Sequence, residues 1–324
     1  MISRRRLLAA AAAAPAATLM RPVRSRSRTL ELATPPGLPA VYLHRLVQQD
    51  PVLEGFRLAL RPWRNPDQLR IWIASGRIAA AASPTNVTAN LYNRGVDVGL
   101  VDVTVRGMLH VLVAGRSTAN GLASLRGLRV GIPFRDDMPD VVFRRLLEAA
   151  GIDPVKDLEA VYLGTPVEAA QMFLARRLDA LVLPEPAATL VRERAELVGI
   201  PLATLDLQAV WADRFGGEPR LPQAGLLCER RLAEREPGLV QALVAASADA
   251  VAWVTAHPGA AAEAASEVTG LPASAVATAL GRARLGHRTA RAARPELEAF
   301  FSRMAEMDPE LIGGTLPGDD FYLA

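Results

Sequence analysis

Residues 158–189 read LEAVYLGTPVEAAQMFLARRLDALVLPEPAAT. Leu158 to Leu163 is a short apolar run with β-branched and aromatic members, ended by Gly164, which is the pattern of a strand. Thr165 stands before Pro166 as an N-cap and N1 pair, and Glu168 three residues on completes a capping box. Val167, Ala170, Leu174 and Leu178 recur at helical spacing, so the pattern predicts a helix over 167–178. Ala180 to Leu183 is too short and too apolar for anything but a buried strand. Pro184-Glu185-Pro186 stops it, and Pro186 opens the next helix. A βαβα run of this kind implies a parallel sheet. Ligands of such sheets sit beyond the carboxyl ends of the strands, where Glu185 stands.

The 324 residues are half hydrophobic, enough for one large core or two ordinary ones. The formal charge of +3 is uneven: seven of the 37 basic residues fall in residues 1–28, leaving 30 against all 34 acids. The remainder is acidic, which gives no basis for nucleic-acid binding. The N-terminus runs Met1-Ile2-Ser3-Arg4-Arg5-Arg6-Leu7-Leu8, then six alanines and Pro15-Ala16-Ala17. A basic start, a short apolar stretch and small residues at its end are the three parts of an export signal. Ser-Arg-Arg-x-Leu-Leu resembles the twin-arginine form, which implies periplasmic delivery of a folded protein; a general secretory signal is the alternative. The lone Cys228 lies in an apolar strand-like run and reads as a small buried hydrophobe. His44, His110, His257 and His287 are scattered, with no metal-ligand spacing and no phosphate-loop or dinucleotide motif, so neither cofactor nor metal is expected.

From Thr29 to Val113 strands and helices alternate as one α/β unit. A linker-like stretch covers 114–127, and a second α/β unit starts at Leu128. After Gly225 comes one strand, then helices over 237–256, 258–269, 272–284 and 295–306, each with a proline at or near its start. The tail is expected to pack through Phe321 and Tyr322. The last part has too few strands for its own sheet, so it folds back on the first unit. The expected division is an export signal and linker at 1–28, lobe 1 from 29–114 plus 225–324, and lobe 2 from 115–224. Crossovers near 114–120 and 218–225 would leave a hinged cleft.

The chain resembles the solute-binding proteins of ABC importers, in the group of nitrate, sulfonate, taurine and thiamine-precursor binders. The matching stretches are Asn90 to Val98, Ser124 to Gly131, Gly164 to Gln171, Asp179 to Pro186, Pro222 to Leu226 and Gly313 to Pro317. The likeness covers the chain from Thr29 onward. It implies a type II periplasmic-binding-protein fold, α/β in class, with two lobes, each a sheet flanked by helices, joined by two crossovers. It also implies capture of a small polar solute by a monomer that passes it to a membrane permease and ATPase. The cysteine-rich stretch of some thiamine-precursor binders is missing. An enzyme on the same fold is the reading from another class, with Glu185, Asp136 and Asp137 as its available groups. A sensor subunit is a further one.

Candidate ligand residues stand at strand ends. Thr34 and Gly37 belong to a turn after the first strand. Ser83, Thr85 and Asn86 open a helix, whose amides are a ready anion site. Trp63 ends a strand and offers either a stacking face or a core side chain. In the second unit Phe134, Asp136 and Met138 surround a helix start that Asp137 can cap, and Trp211 reads as core. Glu185, between two prolines, is expected to face the cleft and hold an ammonium while the Thr85 helix start holds an oxyanion, as an amino-sulfonate requires. A heteroaromatic amine on Trp63 is the alternative ligand.

Replacing Arg4 and Arg5 together by lysine is expected to hold the precursor in the cytoplasm. Cell fractionation reads this directly, and undiminished export would remove the twin-arginine assignment.

Overall fold

The computed structural model describes residues 28–115 and 117–324. The export signal and most of the linker expected over 1–28 lie outside the described residues. The chain starts with β1 (Arg28–Thr34), α1 (Leu38–Gln49), the short β2 (Val52–Leu53), β3 (Phe56–Pro62), α2 (Pro66–Ala74), β4 (Ala80–Pro84), α3 (Thr85–Asn93), β5 (Val98–Leu100) and β6 (Asp102–Val105). It then crosses to β7 (Leu109–Ala114), β8 (Arg129–Pro133), α4 (Met138–Ala149), β9 (Glu159–Leu163), α5 (Pro166–Leu174), β10 (Ala180–Pro184), α6 (Ala187–Leu197), β11 (Leu202–Asp206) and α7 (Leu207–Phe215). It returns through β12 (Ala224–Glu229), α8 (Arg230–Arg235), α9 (Pro237–Ala256), α10 (Pro258–Ala264), α11 (Ser266–Thr269), α12 (Ala273–Arg282), β13 (Leu285–Thr289) and α13 (Ala290–Ala305).

Two sheets result, each flanked by helices. One has the order β13-β6-β12-β4-β1-β3-β2, with β5 also on β12; the other has the order β11-β7-β10-β8-β9. The 158–189 stretch forms β9, α5, β10 and the start of α6. Thr165 Oγ1 accepts the Glu168 amide at 3.1 Å, and Glu168 Oε2 reaches back to the Gly164 amide at 2.9 Å. This capping box fixes where α5 begins. The second sheet is mixed, because β10 runs parallel to β8 but antiparallel to β7.

Three expectations are corrected. The strand at 109–114 belongs to the second sheet, paired with β10 and β11. The chain therefore changes sheets at Arg106–Met108, before the 114–127 stretch. Residues 117–127 of that stretch, which include a 3-10 turn over Gly121–Leu125, pack on the second lobe through buried Leu122 and Leu125. Its Gly, Ser and Asn residues signal a turn, and a turn is not always a boundary. The C-terminal part also contains β13, an edge strand beside β6 whose Gly286 and Arg288 mask an apolar pattern. Finally, the last helix starts at Ala290 with Thr289 as its cap, not at Pro295, which lies inside it.

One glycine is required by close approach. A Cβ on Gly225 would lie 1.8 Å from the Asp102 carbonyl oxygen, so only glycine lets β12 pass β6 there. Asp102 in turn accepts the Leu226 amide at 2.8 Å.

The two crossings meet at one side chain. Gln208 of α7 accepts the Leu109 amide at 2.9 Å and donates to the Leu109 carbonyl at 3.0 Å in the first crossing. It also accepts from Gln223 Nε2 at 3.0 Å in the second. Across the same hinge Arg284 binds Asp206 at 2.6 Å. Beside it α13 leans on the second lobe: Phe300 packs on Trp211 with ring centroids 5.3 Å apart, and Arg145 of α4 donates to Glu306 at 2.5 Å. The apolar core is continuous through this contact, joining Val103, Val130, Val141 and Phe301 in one cluster. Trp211 is core, as expected, and Phe321 and Tyr322 are buried in the same cluster.

Candidate functional site

In the first lobe β1 and β4 run side by side in parallel, Ala33 opposite Ala81. Their carboxyl ends deliver α1 and α3. In the second lobe β8 and β10 pair in the same way, Leu181 opposite Gly131, and deliver α4 and α6. These ends face one another. A Cβ on Gly37 would touch the Pro186 ring at 3.8 Å, and Arg70 of α2 reaches Asp137 at the head of α4.

None of these four helices is capped by the side chain of its own N-cap residue. By contrast α2 and α5, the second helices of their runs, are capped by Asn65 and Thr165. An uncapped N-terminus leaves backbone donors and about half a positive charge directed outward. In the first lobe the polar side chains at these ends are buried and weakly engaged. Thr34 Oγ1 and Ser83 Oγ reach only the carbonyl of the next residue, at 3.3 and 3.1 Å. Asn86 Oδ1 and Trp63 Nε1 are buried with no partner. Such groups cost free energy until a ligand or water satisfies them. Thr85 is differently placed: its hydroxyl donates to the Pro222 carbonyl at 2.5 Å and its amide to the Gln223 carbonyl at 3.1 Å. It ties the helix to the second crossing.

The second lobe departs from expectation. The Glu185 carboxylate is buried and already bound, accepting the Thr189 amide at 2.9 Å and Arg192 Nη1 at 2.7 Å. It serves as an anchor for α6, so the expected grip on a ligand ammonium is corrected. Asp137 does not cap α4. Its oxygens accept Arg70 Nη2 at 2.6 Å and Nη1 at 3.3 Å across the cleft. Burial pushes its carboxyl above the usual range, and Arg70 pulls it back. Asp136 is exposed and turned to Arg144 of its own lobe at 2.8 Å, away from any shared site. Phe134 is half-buried and Met138 buried beside these acids. Trp63 packs among Leu69, Ile73 and Val87 at 6 % exposure, so it offers an N–H edge and no open stacking face.

Sequence reasoning missed three side chains here. Arg192 lies two helical turns from Glu185, a spacing that could have been read. Arg70 and Asp137 are 67 residues apart and carry no local signal. His110 heads β7, buried, with Nε2 3.5 Å from Glu185 Oε1 and neither ring nitrogen hydrogen-bonded. Burial lowers its pKa, Glu185 and Asp206 oppose that, and Arg192 and Arg284 reinforce it. Cys228 is buried, its thiol pushed up to about 12 by desolvation, so it is inert as expected. Among the described residues no group of three or more His, Cys, Asp or Glu could hold a metal ion.

A family model described as NMT1-like matches residues 69–269. No curated protein matches the sequence. Among solved structures the chain is similar to an ABC transporter from Parabacteroides distasonis, at 17% identity over 90% of this chain and 98% of that one, with a TM-score of 0.75. It is also similar to the periplasmic aliphatic sulphonate binding protein SsuA from Escherichia coli, at 18% identity over 91% of each chain and a TM-score of 0.72. The alkanesulfonate-binding protein SsuA from Xanthomonas axonopodis pv. citri, bound to MOPS, gives 19% identity over 90% and 94%, with a TM-score of 0.66. At these identities the likeness establishes the fold.

Two predictions follow from the cleft. Arg70→Ala removes the charge-assisted bonds at its mouth and leaves Asp137 buried and unpaired. Small-angle scattering should then show a larger radius of gyration than the parent without added solute, and an equal radius would mean the pair does not hold the lobes together. The second concerns pH. The folded His110 pKa lies below its ordinary value of 6.5, so acid favours the unfolded chain. Its contribution is complete above pH 6.5 and is lost as pH falls through the folded pKa. Urea midpoints should therefore drop more between pH 7.5 and 5 in the parent than in His110→Gln, and equal drops would count against this assignment.

Proposed function

The chain belongs to the NMT1-like family, and from that premise we propose that it is an exported solute-binding protein of an ABC importer. It captures a small oxyanion, of the sulfonate or nitrate kind, between its lobes and delivers it to a membrane permease and ATPase. The observation that carries this reading is the cleft edge of the first lobe. There α1 and α3 begin without side-chain caps, the Ser83 hydroxyl is only weakly bonded and the buried Trp63 Nε1–H donor has no partner. Donors fixed by backbone and core cost little reorganisation when an anion arrives. Both acids at the cleft are ion-paired, Asp137 with Arg70 and Glu185 with Arg192, so neither repels an anion as a bare carboxylate would. The names of the similar sulfonate-binding structures support the same solute class.

The amino-sulfonate reading needs a carboxylate for the ammonium, and Glu185 is not available for that. The heteroaromatic-amine reading needs an open ring face, and Trp63 is packed in the core of the first lobe. A plain sulfonate therefore suits the site best. Export to the periplasm and a monomeric state complete the proposal, with the solute held and released unchanged.

Calorimetric titration tests it. Ethanesulfonate is expected to bind at least as tightly as taurine, and Ser83→Ala to weaken both by roughly tenfold. Glu185→Gln should lower the melting temperature and leave the affinity near the parent's. Binding of taurine alone, lost in Glu185→Gln, would reverse the solute assignment; no heat with any oxyanion would remove it.

A further inference from the structure

The first turn of α3 holds a buried acceptor that the protein does not serve. Asn86 is 1% exposed, and its Oδ1 has no hydrogen-bond partner. The hydroxyls on either side of it in the chain are directed elsewhere. Ser83 Oγ donates to the Pro84 carbonyl at 3.1 Å, Thr85 Oγ1 to the Pro222 carbonyl at 2.5 Å, and Thr88 Oγ1 to the Pro84 carbonyl at 3.2 Å. Gln223 repeats the pattern. Its main-chain carbonyl takes the Thr85 amide at 3.1 Å, while its side-chain Oε1 is buried without a partner. Two unserved amide oxygens thus belong to the corner where α3 meets the second crossing.

A buried acceptor without a donor is costly, and the cost is removed by whatever brings a donor to it. A bare sulfonate or nitrate brings none. Its oxygens can meet the α3 amides and the Trp63 Nε1–H, but only lone pairs would face Asn86 Oδ1. We propose that the solute is an oxyanion that also carries an uncharged O–H, and that Asn86 reads this hydrogen. The proposal rests on the oxyanion reading above and narrows it.

The donor is uncharged for a reason found in the same cleft. Asp137 is taken by Arg70 and Glu185 by Arg192. An amide oxygen alone repays little of the cost of drying an ammonium, whereas a hydroxyl leaves water cheaply once it has an acceptor. The O–H can lie on the head group, as in a phosphonate monoanion, or on the carbon chain beside it, as in a hydroxyalkanesulfonate. Either anion accepts at α3 and donates to Asn86.

Calorimetry with two pairs of anions tests this. Methanesulfonate and methylphosphonate, compared in mildly acid buffer where both are monoanions, share charge and shape and differ by one hydroxyl hydrogen. Ethanesulfonate and hydroxyethanesulfonate differ by a hydroxyl on the chain. The O–H member of at least one pair is expected to bind roughly tenfold more tightly in the parent. The pair that shows it tells whether the hydroxyl lies on the head group or beside it. Asn86→Leu should bring that pair to within about twofold of one another, while Ser83→Ala should weaken both members and keep their ratio. The parent ratio needs no variant, so it decides even if Asn86→Leu does not fold, and thermal melts check that point. Equal affinities within both pairs would overturn the proposal and leave the oxyanion reading standing. A preference that folded Asn86→Leu retains would also overturn it. Heat from none of the four anions would remove the oxyanion reading itself, and this proposal with it.

Discussion

Gln208 is the side chain on which the two lobes depend. Its amide oxygen takes the Leu109 N–H and the Gln223 side chain, and its amide nitrogen serves the Leu109 carbonyl and Asp206. The bonds to Leu109 and Gln223 are buried, where an unsatisfied amide costs about 1–3 kcal/mol, so the network favours one arrangement of both crossings at once. Gln223 extends it into the first lobe, since its carbonyl receives the Thr85 amide at the start of α3. The head of the anion-favouring helix is thereby tied to the hinge. A shift of either crossing must move α3 or break a buried bond.

That coupling explains the division of labour among charges between the lobes. Arg284–Asp206 sits at the hinge, Arg70–Asp137 at the mouth, and Arg282 donates to Thr189 at 3.1 Å between them. In each, an arginine of the first lobe meets an acceptor of the second. Charge-assisted bonds hold where geometry is met, and these three are part-buried, so each helps to hold the lobes as they stand. The contact of α13 with α4 and α7 is of another kind, apolar where Phe300 meets Trp211 and flanked by a pair of the reverse sense, Arg145 of the second lobe with Glu306. It lies beside the crossings, where a swing of the lobes would displace it least.

Much of this was legible. The Thr165 cap, the Trp211 core position and the strand ends that build the cleft follow from local pattern, because local pattern is what fixes where helices and strands begin. The Arg106–Met108 crossing was not legible, since a three-residue passage between sheets needs no linker composition. Nor was β13, an edge strand whose partner, β6, lies some 180 residues earlier and whose inward face includes His287. At the site, position was readable and direction was not. Glu185 stands at a strand end as its flanking prolines imply, but Arg192, the Thr189 amide and His110 turn its carboxylate into the lobe. A side chain's direction is set by partners, and those partners are chosen by the fold.

The two acids of the cleft carry this point into the chemistry of binding. A carboxylate beside a helix N-terminus normally occupies the place an anion would take. Asp137 and Glu185 both stand at such places, on α4 and α6, and each is matched by an arginine. In the first lobe the corresponding positions hold Gly37 and Pro84, with no carboxylate at either helix end. The second lobe thus supplies its own anions and the first lobe supplies none. An oxyanion solute bound at α1 and α3 would do for the first lobe what Asp137 and Glu185 already do for the second. On this account, closure completes a set of helix ends, and the solute is the part of that set the chain leaves unencoded.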